Sequence, residues 1–258
     1  MMLRLQPGIT YGPVLSRRLG RSLGVNLLPC AYKLCSFDCI YCQYGFTDVK
    51  TLSPAERHFP GAQEVIDVVR KTLVRLARSG RGVDSITFSG NGEPTLHPYF
   101  PRIAFEVRRL RDRFQPEAQL VILSNSSTVH VPHIREALAL FDRPVMKLDA
   151  GDPETWERID RPAPGVTLDD VIAGLKDVPN LTIQSALIDG PVSNVETRAF
   201  EAWLAALMEI QPRQVQIYST ERPTPDARVQ QVWPYQLARI AAEITARTGL
   251  AVDDYSWT

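Results

Sequence analysis

The sequence predicts an α/β fold built on a parallel sheet. Six short apolar runs, rich in β-branched residues, alternate along the chain with segments in which apolar residues recur three and four positions apart. Strands and helices that alternate in this way form parallel sheets with right-handed crossovers. Four of the runs also end in polar or glycine-rich residues. Side chains at the carboxyl ends of parallel strands line the ligand sites of such folds.

The predicted strands are short and bounded by turn-forming residues. The clearest covers 83–89, which is rich in β-branched residues and flanked by glycines. The six strands are predicted at 22–28, 83–89, 118–125, 143–150, 181–188 and 214–220.

The predicted helices lie between and after these strands. Segment 62–80 shows the helical period most clearly and stops at a glycine. The other helices are predicted at 101–114, 133–141, 168–177, 196–210 and 235–249. Six strand–helix units are two fewer than a closed eight-stranded barrel needs. An open doubly wound sheet and a partial (β/α)6 TIM-type barrel therefore both fit.

The polar strand ends favour the partial barrel. "SGNGEP", "SNSS", "DAGD" and "STERP" each follow a predicted strand. If these ends meet at one rim, they form a broad, shared pocket. We expect one domain over residues 1–258, with short N-terminal and C-terminal extensions.

The composition narrows the function classes. An apolar content of 44% supports a sizeable core, and 29 basic residues balance 29 acidic ones. There is thus no overall field to attract nucleic acid or an anionic membrane. No run approaches about 18 apolar residues, and the first residues form no apolar leader. We expect a cytoplasmic protein, monomeric and without a membrane partner.

The cysteines are the most informative feature of the sequence. All four lie in one short stretch, and Cys35, Cys39 and Cys42 are spaced four and three apart. A helix face that happens to carry three thiols is one interpretation. A structural zinc site with Cys30 as its fourth ligand is another. An iron–sulfur cluster held by three thiolates is the third, with Cys30 as a buried small apolar residue or a redox bystander.

The stretch "CSFDCIYCQYG" resembles the signature of the radical S-adenosylmethionine (radical SAM) superfamily, including an aromatic residue, Tyr41, before the last cysteine. The resemblance implies that Cys35, Cys39 and Cys42 bind three irons of a 4Fe-4S cluster. The fourth iron would bind the amino and carboxylate groups of SAM. Phe37, Ile40 and Tyr41 are suited to shielding the cluster from water, which affects its potential.

A second motif supports this resemblance. "SGNGEPT" follows the second predicted strand, and the prolines at 94 and 98 argue against a hairpin. The motif resembles the family's "GGEP" loop, whose backbone binds the SAM amino group, with an asparagine in place of one glycine. The implied SAM-binding residues here are Gly90, Asn91, Gly92, Glu93 and Pro94.

Further candidates lie at later strand ends. Ser124 and Asn125 are implied to approach SAM or substrate, and Asp149 to contact the SAM ribose or the substrate. Because Lys147 and Asp149 alternate on one strand, they share a face and can form an ion pair in the site. The candidate catalytic residues are Lys147, Asp149, Gln184, Tyr218 and Arg222.

Motifs spread over nearly the whole chain resemble one branch of the superfamily, which is related to the tRNA wyosine enzyme 4-demethylwyosine synthase. The archaeal tRNA enzymes carry extra upstream cysteines for a second cluster, whereas this chain has only Cys30 to spare. We therefore expect a single cluster.

The resemblance implies a reaction. The reduced cluster cleaves SAM to a 5′-deoxyadenosyl radical, which abstracts a hydrogen atom from a substrate. We expect that substrate to be a small molecule or a peptide. A tRNA base is the alternative, and a structural zinc protein without activity is a weaker one. The electron would come from an external donor such as flavodoxin or ferredoxin.

Overall fold

A computed structural model describes residues 2–255. The strands are β1 Thr10–Ser16, β2 Gly20–Val25, β3 Leu34–Cys35, β4 Val49–Lys50, β5 Ser85–Phe88, β6 Gln119–Ser124, β7 Arg143–Lys147, β8 Thr182–Ala186, β9 Ile188–Asp189, β10 Gln214–Tyr218, β11 Gln230–Gln231 and β12 Val252–Asp254. The helices are α1 Ala62–Arg78, α2 Phe100–Phe114, α3 Pro132–Leu138, α4 Pro153–Asp160, α5 Leu168–Leu175, α6 Thr197–Ile210 and α7 Pro234–Thr248. Two 3-10 turns cover Glu56–His58 and Pro94–Leu96.

Eight strands form one sheet in the order β1-β2-β5-β6-β7-β8-β10-β12. All neighbours pair in parallel except β1 and β2, which form an antiparallel hairpin at one edge. The first and last strands do not pair, so the sheet is open. This confirms the predicted α/β fold with a parallel core and an unclosed barrel.

The outer face of the sheet packs on the helices. Along β5, for example, Ile86 and Phe88 are fully buried in the main core, and Val69 and Leu73 of α1 join the same cluster. This burial follows the alternation of side chains along a strand and the apolar stripe along a helix. The apolar residues of the predicted strands and helices therefore pack against each other on this face.

The opposite face of the strands is polar. Ser22 on β2 and Thr87 on β5 share a hydrogen bond of 2.7 Å, and Gln184 on β8 donates to Gln216 on β10 at 3.0 Å. These side chains are buried yet hydrogen-bonded, as interior polar groups must be. The inside of the open barrel is thus lined with hydrogen-bonding groups up to its carboxyl rim.

All six predicted strands and all six predicted helices are present, with shifted ends. The sequence prediction missed β1, β12, α4 and the two-residue strands β3, β4 and β11. Helix α4 had a usable signal, since Asp152 precedes a proline and its carboxylate accepts from the Thr155 amide at 2.9 Å as an N-cap. Within residues 2–255, no helix is both long and apolar enough to cross a membrane.

Candidate active site

A cavity of about 160 Å³ lies at the carboxyl rim of the sheet. The three spaced cysteines line it together with Gly90, Gly92 and Asn125, and with Lys147, Asp160 and Tyr218. A larger polar cavity, of about 310 Å³, lies at the opposite end, where β7 and β10 begin. That second cavity contains none of the sulfur atoms, so the rim cavity is the candidate site.

The cysteine loop is held in place by backbone hydrogen bonds at both ends. Leu34, just before Cys35, donates to the Asn91 carbonyl at 3.0 Å and accepts from the Glu93 amide at 3.3 Å. Farther along the loop, the Ile40 amide donates to the Ile159 carbonyl at the end of α4 at 2.9 Å. The three sulfurs are therefore fixed against two separate parts of the sheet rim.

The environment of the sulfurs disfavours bare thiolates. Burial raises the pKa of Cys35 to about 12 and holds that of Cys39 well above its usual value. Thiolates in this cavity therefore need added positive charge, and iron supplies it when thiols lose their protons to become ligands. This donor set fits a bound metal cluster.

Across residues 2–255, no three His, Cys, Asp or Glu side chains converge as ligands of one metal. A zinc site needs such convergence, because all its ligands bind one ion at about 2.0–2.3 Å. In a cluster each thiolate binds a different iron, so the sulfurs need not meet at a point.

The prediction that Cys30 is a buried small apolar residue is wrong. It is exposed rather than buried, and it does not line the cavity. Its sulfur lies 4.0 Å from the Asn26 amide nitrogen. A chain segment that turns outward before the cysteine loop explains the difference, since burial was inferred only from the usual habit of free cysteine.

Gly90 and Gly92 have backbone conformations and close contacts that only glycine accommodates. Both have positive φ angles, +148° and +142°. A Cβ on Gly92 would overlap the Leu34 carbonyl oxygen, and one on Gly90 would overlap the Asn26 side chain. Their backbone thereby comes close to both the cysteine loop and the cavity, as a loop that contacts a ligand through its main chain requires.

Asn91, between these glycines, points away from the cavity. Its side chain donates to the carbonyls of Gln6 and Pro29 at 3.0 and 2.8 Å, and it accepts from the Gln6 amide at 2.7 Å. The asparagine that replaces a family glycine therefore anchors the N-terminal segment to the loop. Its backbone is also engaged in the fold, since its amide donates to Asn26 Oδ1 at 3.1 Å and its carbonyl accepts from the Leu34 amide at 3.0 Å. Asn91 does not line the cavity, so the prediction that it binds SAM is wrong for this residue.

Glu93 is buried, and its carboxylate connects neighbouring loops through hydrogen bonds. Its carboxylate accepts from the backbone and hydroxyl of Thr95, from Ser124 Oγ at 2.9 Å and from the Asn125 amide at 2.6 Å. Burial raises its pKa even though these hydrogen bonds oppose the shift. Glu93 and Ser124 thus join two strand ends, and neither side chain lines the cavity. Pro94, also buried, opens the 3-10 turn that follows.

Asn125 does reach the sulfurs. Its side-chain nitrogen donates to Ser36 Oγ at 2.9 Å and lies 3.5 Å from Cys35 Sγ. A hydrogen bond to a ligand sulfur affects the potential of an iron–sulfur centre. The residue therefore contacts the candidate cluster site directly.

A charged network lies across the cavity. Asp149 accepts from Lys147 Nζ at 2.8 Å, from the Ala186 amide at 2.6 Å and, through a short contact, from the Tyr41 hydroxyl. Lys147 also donates to the Tyr218 hydroxyl at 3.1 Å. Although burial would lower the pKa of Lys147, the charge of Asp149 raises it, so the ammonium form is held.

The network brings together four of the predicted residues: Tyr41, Lys147, Asp149 and Tyr218. Gln184 is buried beside Lys147 in the sheet register and bonds to Gln216 rather than lining the cavity. Arg222 is exposed in the loop after β10 and does not line the cavity either.

The sequence analysis missed three residues that line the cavity, Lys33, Tyr44 and Asp160. Asp160, at the end of α4, accepts from Cys39 Sγ at 3.1 Å. Burial and the charge of Asp149 raise its pKa well above the usual value. Lys33 is buried in the cysteine loop. Lys33 could have been noticed in the sequence, because it lies two positions before Cys35. Asp160 could not, because it is 121 positions from Cys39.

Comparisons with known proteins show the family to which the chain belongs. The model of the radical SAM superfamily matches residues 31–197. UPF0026 protein slr1464 of Synechocystis is 31% identical over 221 residues, which are 83% of this chain and 76% of that protein. UPF0026 protein MJ1312 of Methanocaldococcus jannaschii is 37% identical over 167 residues, which are 65% of this chain and 48% of that protein. The chain thus spans about half the length of the second relative.

Solved structures show the same fold. A radical SAM methyltransferase from Sphaerobacter thermophilus superposes with a TM-score of 0.66 at 17% identity, over 91% of this chain and 66% of that one. TYW1 with a lysine-pyruvate adduct bound gives a TM-score of 0.59 at 13% identity, over 88% of this chain and 74% of that one. At these identities the likeness concerns the fold alone.

Replacing Gly92 tests the junction of the two loops. We expect Gly92→Ala to lower the free energy of unfolding by more than about 3 kcal/mol, because the new methyl group combines a disfavoured φ with an overlap on a backbone oxygen. Gly61→Ala is the matched control, since a Cβ there meets no described atom within 4 Å. Chemical denaturation measures both variants, and equal stabilities would contradict the account.

Proposed function

Because the chain belongs to the radical SAM superfamily and to the UPF0026 proteins, we propose that it is an iron–sulfur enzyme that reductively cleaves SAM and abstracts a hydrogen atom from a substrate. One observation carries the proposal. The three spaced cysteines share one rim cavity with the backbone of Gly90 and Gly92. When bound, the cluster and SAM supply a 5′-deoxyadenosyl radical.

The cysteine loop and the glycine loop hold the cofactors in this proposal. Cys35, Cys39 and Cys42 are the cluster ligands, and Asn125 donates a hydrogen bond toward the first sulfur. Gly90 and Gly92 offer SAM a backbone surface without side chains. Glu93 acts indirectly, since its carboxylate fixes the Asn125 backbone amide.

The network across the cavity is the proposed substrate and ribose side. Lys147 and the Tyr218 hydroxyl are hydrogen-bonded and partly exposed to the cavity, and Asp149 orients both Lys147 and Tyr41. The aromatic rings of Tyr41 and Tyr218 lie 5.1 and 4.7 Å from the Lys147 ammonium group. Such a wall excludes water from a reactive intermediate and keeps the cation in place.

Cluster loading is the direct test of the ligands. After anaerobic reconstitution we expect about four iron atoms and four sulfides per chain, since three cysteines support a single 4Fe-4S cluster. Cys39→Ala should lose most of this iron. Cys30→Ala is the matched control, because the exposed thiol does not line the cavity. Stoichiometric zinc without sulfide, or iron lost equally in both variants, would contradict the proposal.

The substrate is proposed to be a small molecule or a peptide, and electrons would come from a flavodoxin or ferredoxin. A tRNA base is the second candidate, favoured by the sequence motifs and the fold shared with TYW1. The balanced charge of the chain favours the first candidate, because RNA binding depends strongly on phosphate contacts.

Retention on immobilised bulk tRNA separates the two candidates. We expect the loaded wild-type chain to elute at low salt, with little dependence on ionic strength. Tight retention that weakens steeply as salt rises would instead indicate several phosphate contacts. That outcome would overturn the small-molecule assignment while leaving the cofactor assignment intact.

A further inference from the structure

Lys33 is buried without a carboxylate partner. Only 3% of the residue is exposed, although lysine is almost never fully buried unless it is paired. Its ammonium group donates to the Gly45 carbonyl at 2.7 Å. Within residues 2–255, no Asp or Glu oxygen lies within ion-pair distance of it. Its side chain also hydrogen-bonds to Cys42. A buried cation without a carboxylate partner needs a counter-charge from elsewhere.

The fold holds this lysine rigidly. Its backbone amide donates to Asp48 Oδ2 at 2.8 Å, and its carbonyl accepts from the Val49 amide at 3.0 Å. The next residue, Leu34, pairs with the glycine loop. Hydrogen bonds therefore fix the backbone at Lys33 and at the following residue. They hold Lys33 where it lines the cavity.

The candidate cluster site lies on the same cavity as Lys33. Lys33 lines the same cavity as Cys35, Cys39 and Cys42, so a cluster bound by these sulfurs would lie on the same cavity as this lysine. The other cavity lysine, Lys147, differs from Lys33 because Asp149 already neutralises it at 2.8 Å. Of the two lysines that line the cavity, Lys33 is the one without a carboxylate partner within residues 2–255.

We propose that Lys33 is the built-in counter-charge of the iron–sulfur cluster, where it stabilises the bound cluster and raises its reduction potential. A cluster with three thiolate ligands carries net negative charge, and reduction by one external electron adds to it. A fixed cation nearby favours the reduced form, since net charge and hydrogen bonds to sulfur set such potentials. This inference rests on the proposed function, because it requires the cluster.

The test is an anaerobic redox titration of the loaded protein, monitored by electron paramagnetic resonance. In Lys33→Gln, which keeps a donor for the Gly45 carbonyl but removes the charge, we expect the ratio of reduced to oxidised cluster at a fixed potential to fall at least tenfold. For a one-electron couple that is a downward shift of about 59 mV. Lys33→Arg, which keeps the charge, should stay close to the wild type.

Lys50→Met is the matched control. Lys50 pairs with Cys35 in the small β3–β4 ribbon, but it is exposed, so water and salt screen its charge. We expect this variant to change the ratio by less than about twofold. A shift as large as that of Lys33→Gln would show that any nearby lysine has the effect, and it would overturn the proposal.

The possible outcomes are distinguishable. If the wild type forms no cluster, the proposed function itself fails. If Lys33→Gln loads fully and titrates like the wild type, only the counter-charge role fails, and Lys33 merely braces the loop. If Lys33→Gln cannot hold a cluster while Lys33→Arg can, the positive charge is required for binding, as proposed. Equal loss in both variants would contradict it.

Discussion

The site depends on one backbone junction, the pairing of Leu34 with the segment from Asn91 to Glu93. This junction joins the start of the cysteine loop to the loop after β5, and Gly92 is needed for the close approach because a Cβ there would overlap the Leu34 carbonyl oxygen. Glu93 then extends the connection to the end of β6 through Ser124 and Asn125. The sulfurs, the glycine backbone and two strand ends are therefore placed as one unit.

Charge balance is the second constraint on the cavity. Lys147 is neutralised by Asp149, and burial and the charge of Asp149 raise the pKa of the nearby Asp160 well above its usual value. The thiols of Cys35 and Cys39 resist ionisation, while Lys33 has no carboxylate partner among residues 2–255. The proposed cluster would account for both observations, because it would bring positive iron to the sulfurs and net negative charge near Lys33.

Most of the fold could be predicted from the sequence, because the strands and helices are determined by apolar residues that recur at regular intervals and become buried. Strands and helices that pack on each other show their periods locally, and the motifs after β5, β6 and β7 are placed by the parallel sheet. The failures came from contacts between distant positions. Nothing local to Asn91 shows that its side chain bonds to Gln6 and Pro29, and nothing near Asp160 reveals Cys39. Edge strands β1 and β12 also lack a long periodic pattern.

The most direct measurement of the central claim is a search by mass for 5′-deoxyadenosine. The anaerobically loaded chain would be mixed with SAM and a strong reductant. The account predicts that the product appears with the wild type and is absent when Cys35, Cys39 or Cys42 is replaced. A chain that carries full iron and sulfide, yet neither binds SAM nor forms this product, would contradict it.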